Sequence, residues 1–318
     1  MGIFSNAALA AGACVTGALV VKYRHSLMNM LSNSASSYTR HERVILDRVT
    51  KPENLTVTWS DVVGEEGLAA VLHKFLLNPA VLAMRVKHLP LPIYSSVLFY
   101  GPSGCGKTLI AKAMAGELGA SVINLDLLAV LRKANLMSAV VSVAKSLTPC
   151  VVFIKHLDEI LEGKHSPDTE RVVLLLKTLA ECRGVIVVAT ATKKENISNS
   201  ILRTFPLQFE VPLPNADKRM KILERALSDC SLYRDVDLQA LTEMTLGLSC
   251  SDLLQFHRYA VWCSIQENLS EQFPEEEEVA DLEKGALCPL AWRHFEEAVE
   301  ILHFEKERSS DSRPHIYI

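Results

Sequence analysis

The run Gly101-Pro102-Ser103-Gly104-Cys105-Gly106-Lys107-Thr108 lies between the apolar stretch Ser96-Val97-Leu98-Phe99-Tyr100 and a helical pattern from Leu109 to Leu118. A strand, a glycine loop and a helix in that order let backbone N–H groups turn inward on a polyphosphate, while the helix N-terminus adds partial positive charge. Pro102, Ser103, Gly104, Cys105, Gly106, Lys107, Thr108 and Leu109 are therefore the first expected binding residues, with ATP as the ligand. Lys107 is placed to reach the β- and γ-phosphates and Thr108 to hold Mg²⁺. The length of the match and its setting set aside a glycine turn that binds nothing.

The chain has 318 residues, enough for two domains once any N-terminal segment is set aside. It is 49% hydrophobic, so a sizeable core is available, and its formal net charge of -4 gives no electrostatic case for a nucleic-acid partner. Eight cysteines are scattered without a CxxC pair, which fits free thiols of a reducing compartment rather than a disulfide frame or a zinc site. No HExxH and no Ser-His-Asp arrangement points to other chemistry.

Residues 7–21 form an uncharged apolar run followed at once by Lys22, Tyr23, Arg24 and His25. A hydrocarbon core asks for roughly 20 residues, so the run is short, but Ile3, Phe4 and Tyr23 extend it to a thin or tilted crossing. Basic residues after the run favour a C-terminal bulk on the cytosolic side, whereas a cleaved signal would carry its charges in front. A transit peptide fits the lack of acids before Glu42, yet three basic residues are few for one, and Asn6 breaks the myristoylation pattern. The expectation is a membrane anchor.

Beyond it, short apolar runs alternate with helical patterns up to about residue 212, which predicts a parallel sheet covered on both faces. Purely helical patterns follow: 218–229, 238–245, 251–267 and 289–306. Glu275–Glu278 reads as a solvated charge run. The expected organisation is an anchor at 1–25, a linker at 26–50 that turns helical around 41–49, a nucleotide-binding domain at 51–212, a helical lid at 213–308 and a tail at 309–318.

Trp59-Ser60-Asp61-Val62-Val63-Gly64, the glycine loop, Pro149-Cys150-Val151-Val152-Phe153-Ile154, Pro212-Leu213-Pro214 with Arg219, and Gly247-Leu248-Ser249-Cys250-Ser251-Asp252-Leu253 stand in the order seen in AAA ATPases. The resemblance runs from about Val57 to Phe304. Within that family the chain looks most like the N-terminally anchored thorase branch of the mitochondrial outer membrane and peroxisome, which extracts mislocalised tail-anchored proteins. The resemblance implies an α/β fold, a P-loop αβα sandwich plus C-terminal helical lid, assembled as a hexamer with ATP between subunits. It also implies that Asp61, Val63, Gly64, Ser249 and Asp252 help enclose the nucleotide.

The chain departs from that family where hydrolysis is concerned. The strand from Val151 should end in Asp-Glu, one to hold Mg²⁺ through water and one to polarise the attacking water. Here Lys155-His156 stands in register. Sliding the strand by three residues to bring up Asp158-Glu159 would turn alternate side chains to the opposite face and bury Lys155. Thr192 stands near the family's water-orienting Asn, Arg203 is the survivor of three arginines, and Thr204 and Gln208 replace the others, Gln208 in the place of an arginine finger. Between Asn124 and Asn135, where the family carries an aromatic pore loop, there is no aromatic residue and the stretch is shorter.

A missing general base costs about 10²- to 10⁴-fold and a missing arginine finger about 10³- to 10⁵-fold, although such losses need not multiply. The expected function is thus a membrane-anchored ATP-binding subunit of a homo- or hetero-oligomer, with hydrolysis weak or absent. The alternative is a working extractase of tail-anchored clients, with Asp158, Glu159, Thr192 and Arg203 as the remaining candidate catalytic residues.

Overall fold

The computed structural model describes residues 38–78, 95–160, 167–272 and 289–311. They divide into two compact units: the chain up to Gly101 with Lys107–Val211, and Pro102–Gly106 with the chain from Pro212 onward. The apolar run at 7–21 and the acidic run at 275–278 lie outside the described residues.

The first unit is built on six strands: β1 (Val49–Thr50), β2 (Ser96–Tyr100), β3 (Ser121–Leu125), β4 (Cys150–Ile154), β5 (Val185–Ala191) and β6 (Leu207–Glu210). Their order is β1-β3-β4-β5-β2-β6. Every neighbouring pair is parallel except β1 with β3. The expected parallel sheet is present, extended by one antiparallel edge strand. All residues of β4 and β5 are buried, which is why these strands read as unbroken apolar runs rather than alternating ones.

Strand alternation sorts the core into two faces. On one, Leu98, Val152, Ile154, Val187 and Ala189 pack with Val140 and Val143 of α5 (Ala134–Ser146) and Leu175, Leu176 and Leu179 of α7 (Pro167–Ala180). The opposite set, including Phe99, Val151, Phe153 and Val188, lies under α3 (Lys107–Glu117). That helix packs on β4 and β5 with Ile110, Ala111, Ala113, Met114 and Ala115 all buried. Burying each large apolar side chain contributes about 1.5–3 kcal/mol, so the helix that begins with Lys107 is firmly seated on the sheet.

Two stretches differ from their sequence expectation. Residues 40–50, expected as the end of a linker that turns helical around 41–49, form α1 (Arg40–Leu46), in keeping with that pattern, and then β1, which departs from it. Thr39 caps α1 reciprocally with Glu42, Ile45 is buried, and the helix packs on α5. In place of a pore loop the chain forms α4 (Leu127–Arg132), started by Asp126, whose carboxylate accepts the Ala129 N–H at 3.1 Å and pairs with Arg48 at 3.0 Å. Leu127, Val130 and Leu131 recur at helical spacing and are buried, which pulls the stretch onto the core instead of leaving it free.

In the second unit, α9 (Ala216–Leu227), α10 (Leu238–Met244), α11 (Cys250–Gln272) and α12 (Trp292–Asp311) pack around Leu223, Leu241, Phe256, Phe295 and Leu302. The Arg219 guanidinium is buried and donates to the Thr242 and Pro214 carbonyls, fixing the entry of the chain into this unit. The remaining short helices of the first unit are α2 (Glu66–Leu72), α6 (Leu157–Ile160) and α8 (Asn199–Leu202).

Candidate functional site

In the first unit the loop leaves β2 at Gly101, whose φ is +136°. Its N–H donates to the Ala191 carbonyl at 3.2 Å, and a Cβ there would stand 2.3 Å from the Val211 oxygen, so only glycine fits between the strands. Where the chain re-enters, Lys107 begins α3 and its Nζ donates back to the Gly101 carbonyl at 2.6 Å. The cation is thus held at the end of β2, beside the start of the helix. Thr108 and Leu109 follow on the same turn, each half-buried.

The intervening residues belong to the second unit. Pro102 and Ser103 are exposed and Cys105 is buried. Gly104 has φ +77°, its carbonyl accepts the Ser251 N–H at 3.0 Å, and a Cβ on it would meet the Ser251 and Ser249 hydroxyls at 2.1 and 2.5 Å. Gly106 is likewise left-handed, at φ +99°. Ser249 and Asp252 form a reciprocal cap at the start of α11: the Ser249 N–H donates to Asp252 Oδ2 at 3.0 Å and the Asp252 N–H to the Ser249 hydroxyl at 3.3 Å. Lys306 Nζ adds a bond to Asp252 Oδ2 at 2.7 Å. Burial pushes the Asp252 carboxyl up, but the Lys306 ammonium and the Ser249 groups outweigh it and hold it below its ordinary value.

The entry segment of the first unit is a short 3-10 turn, Trp59–Asp61. Asp61 Oδ2 accepts the Thr58 N–H at 2.8 Å, and Val63 and Gly64, the latter at φ +72°, are half-buried. Trp59 Nε1 donates to the Glu117 carboxylate, which also meets His73 Nε2 at 3.1 Å. Glu117 closes the last turn of α3, so the entry segment is tied to the helix that begins with Lys107. A Cβ on Gly116 would lie 2.9 Å from the Val57 oxygen, which shows how closely the two approach.

At the carboxyl end of β4 stand Lys155 and His156, both exposed. Lys155 continues the alternate set Val151, Phe153, and its Nζ lies 5.8 Å from the Phe153 ring centroid, so it rises from the face that α3 covers. His156 adopts φ +50°, its N–H donates to the Thr190 hydroxyl at 3.4 Å, and its Nδ1 lies 3.1 Å from Glu159 Oε1. Asp158 is turned inward and is 4% exposed. Its Oδ2 accepts the N–H groups of Thr192 at 2.9 Å and Lys193 at 2.8 Å, while Oδ1 is buried without a hydrogen-bond partner. Asp158 thus joins α6 to the end of β5, and Glu159 remains exposed beside His156.

Arg203, just after α8, is exposed. The Thr204 hydroxyl donates to the Ile201 carbonyl at 2.6 Å, and Gln208 Nε2 donates to the carbonyls of Leu202 and Phe205 at 2.9 and 2.8 Å. Gln208 therefore spends both amide hydrogens closing the turn between α8 and β6. Lys306, Glu117 and His73 are partners that sequence reasoning did not single out; no local spacing marks them.

The family described as "ATPase family associated with various cellular activities (AAA)" matches residues 97–213. The chain is 30% identical over 289 residues to the outer mitochondrial transmembrane helix translocases of Homo sapiens and Bos taurus, covering 84% of this chain and 79% of theirs. It is 31% identical over 236 residues to the mitochondrial sorting homolog of Caenorhabditis elegans, covering 70% of this chain and 69% of that one. Among solved structures, a katanin from a study of its self-assembly superposes with a TM-score of 0.69 at 20% identity, covering 84% of this chain and 92% of that one. The FIGL-1 AAA domain in complex with ADP gives 0.66 at 20%, covering 88% and 99%.

Proposed function

This chain belongs to the AAA family of ATPases, and we propose that it is a membrane-anchored, nucleotide-binding member of the outer-mitochondrial branch whose hydrolysis is weak or absent. Nucleotide binding is supported by the complete glycine loop on β2 and α3, with Lys107 held at the end of β2. The names of the curated relatives support a role in handling transmembrane helices at the mitochondrial outer membrane, and tail-anchored proteins are the clients we propose. A homo- or hetero-oligomeric ring, a hexamer by family, is the assembly we propose.

The observation that carries the weak-hydrolysis reading is the carboxyl end of β4. It presents a lysine and a histidine, while the nearest buried carboxylate, Asp158, is committed to two backbone N–H groups. A carboxylate so held orients the end of β5 and is not placed to polarise a water. The second reading, an active extractase, draws on the relatives' names and on the neighbouring Glu159 and Arg203, both exposed.

Mg²⁺ accompanies ATP in this family, and the described residues do not fit it. Thr108 offers one hydroxyl, and the position for an acid on β4 holds Lys155.

Binding is tested by the ATP-induced rise in melting temperature of the full chain and of Lys107→Ala, together with phosphate release. We expect a clear rise in the wild type, a much smaller one in the variant, and little release. Equal shifts in the two proteins would overturn the assignment of the loop.

A further inference from the structure

We propose that this chain binds nucleoside triphosphate without a divalent cation, the Lys155 ammonium taking the cation's place beside the phosphates. The inference rests on reading the loop from Gly101 to Lys107 as the nucleotide site. It starts from sheet geometry. β2, β4 and β5 are parallel, so the segments that follow them all leave the same edge of the sheet. That edge, next to the strand where the chain order reverses, is where open α/β sheets hold their ligands. β2 is that strand here: the chain leaves it for β3 at the far side and returns past it to β6.

Register and parity place Lys155 within the site's half of that edge. Ile154 pairs with Ala189, so the next residue, Lys155, stands level with Thr190 on β5. Both belong to the set facing α3, the helix whose first residues are Lys107 and Thr108. Lys155 is exposed, with its ammonium 5.8 Å from the Phe153 ring centroid, and its flexible four-carbon stem gives that charge reach beyond the edge. Lys193 and Lys194 follow β5 at the same edge, Lys193 exposed and Lys194 5.1 Å from the Tyr100 ring centroid.

The charges run against a metal ion. Of the acids just beyond β4, Asp158 is buried, with Oδ2 on two N–H groups and Oδ1 unpartnered, and Glu159 lies beside His156. A divalent cation beside Lys155 would be repelled by its ammonium. A polyphosphate meets the opposite: each lysine at the edge draws it, and an ammonium donates directly to phosphate oxygens as a bound cation would coordinate them. The substitution that removes the metal's ligand thus also supplies the metal's charge.

The test is calorimetric titration of ATP into the full chain, once in Mg²⁺ and once in EDTA, for the wild type, Lys155→Asp and Lys155→Met. We expect the wild type to bind at least as tightly in EDTA as in Mg²⁺. Lys155→Met should lose about tenfold in EDTA, the loss expected from deleting one charged hydrogen bond. Lys155→Asp should bind in Mg²⁺ and lose most of its affinity in EDTA. Circular dichroism melting of each variant checks that it is folded. A wild type that binds ATP only with Mg²⁺, or a Lys155→Met that binds in EDTA like the wild type, would overturn the proposal and leave the nucleotide site standing. No binding in either buffer would overturn both.

Discussion

The Asp158 carboxylate accepts the backbone N–H of Thr192 at 2.9 Å, tying the first turn of α6 to the end of β5. With the Lys193 N–H on the same oxygen and the carboxylate buried, this contact is part of the fold. Removing the side chain in Asp158→Ala leaves both N–H groups without their acceptor, at a cost of about 1–3 kcal/mol. The expected result is a melting temperature several degrees lower in nucleotide-free protein. An unchanged melting temperature with a loss of turnover would assign Asp158 to catalysis instead.

The pair Asp252 and Lys306 gives the second unit an acid-sensitive contact. The folded-state carboxyl lies below its ordinary 3.8, so its contribution is fully present above that value and is lost as pH falls through the lower folded-state value. Lys306→Met should flatten the acid limb of the melting curve below about pH 4, where the unfolded carboxyl takes up its proton. Melting profiles of the two proteins that stay parallel down to pH 2 would show that the contact contributes nothing.

The central strands, the loop and α3 were legible in the sequence because long apolar runs and a rigid eight-residue pattern specify them locally. β1 was not, since two half-buried residues carry no period and acquire a strand's geometry only by pairing with β3. α4 is legible in hindsight from Asp126 and the spacing of Leu127, Val130 and Leu131, which describe a capped helix, whereas the absence of an aromatic residue there carries no information about backbone geometry. Of the candidate site, the loop's residues were readable from spacing. The bonds Trp59 to Glu117 and Lys306 to Asp252 span 58 and 54 residues and exist only through tertiary packing. The commitment of Gln208 to two nearby carbonyls was likewise invisible, because a glutamine in a strand gives no sign of which partner it takes.

The run at 7–21 is expected to hold the protein in a membrane. Deleting residues 1–25 should shift the chain to the soluble fraction, whereas the full chain should stay in the pellet after alkaline carbonate. Equal extraction of the two would refute an integral anchor.

Incorporation into a ring has a kinetic signature. Mixed with the Homo sapiens translocase, the wild-type chain should lower that protein's ATP turnover in proportion to its share, since Gln208 offers the neighbouring site no guanidinium. A mixture whose turnover is the sum of its parts would show that the two do not assemble.

Nucleotide binding without effective hydrolysis is tested most directly by steady-state phosphate release from the unmodified full chain at saturating ATP, measured both with Mg²⁺ and in EDTA. Release far below about 1 per second, the lower end of ordinary enzyme turnover, is expected in both buffers. Lys155→Asp with His156→Glu should raise release only when Gln208→Arg is added. Release by the unmodified chain at or above about 1 per second would contradict binding without effective hydrolysis.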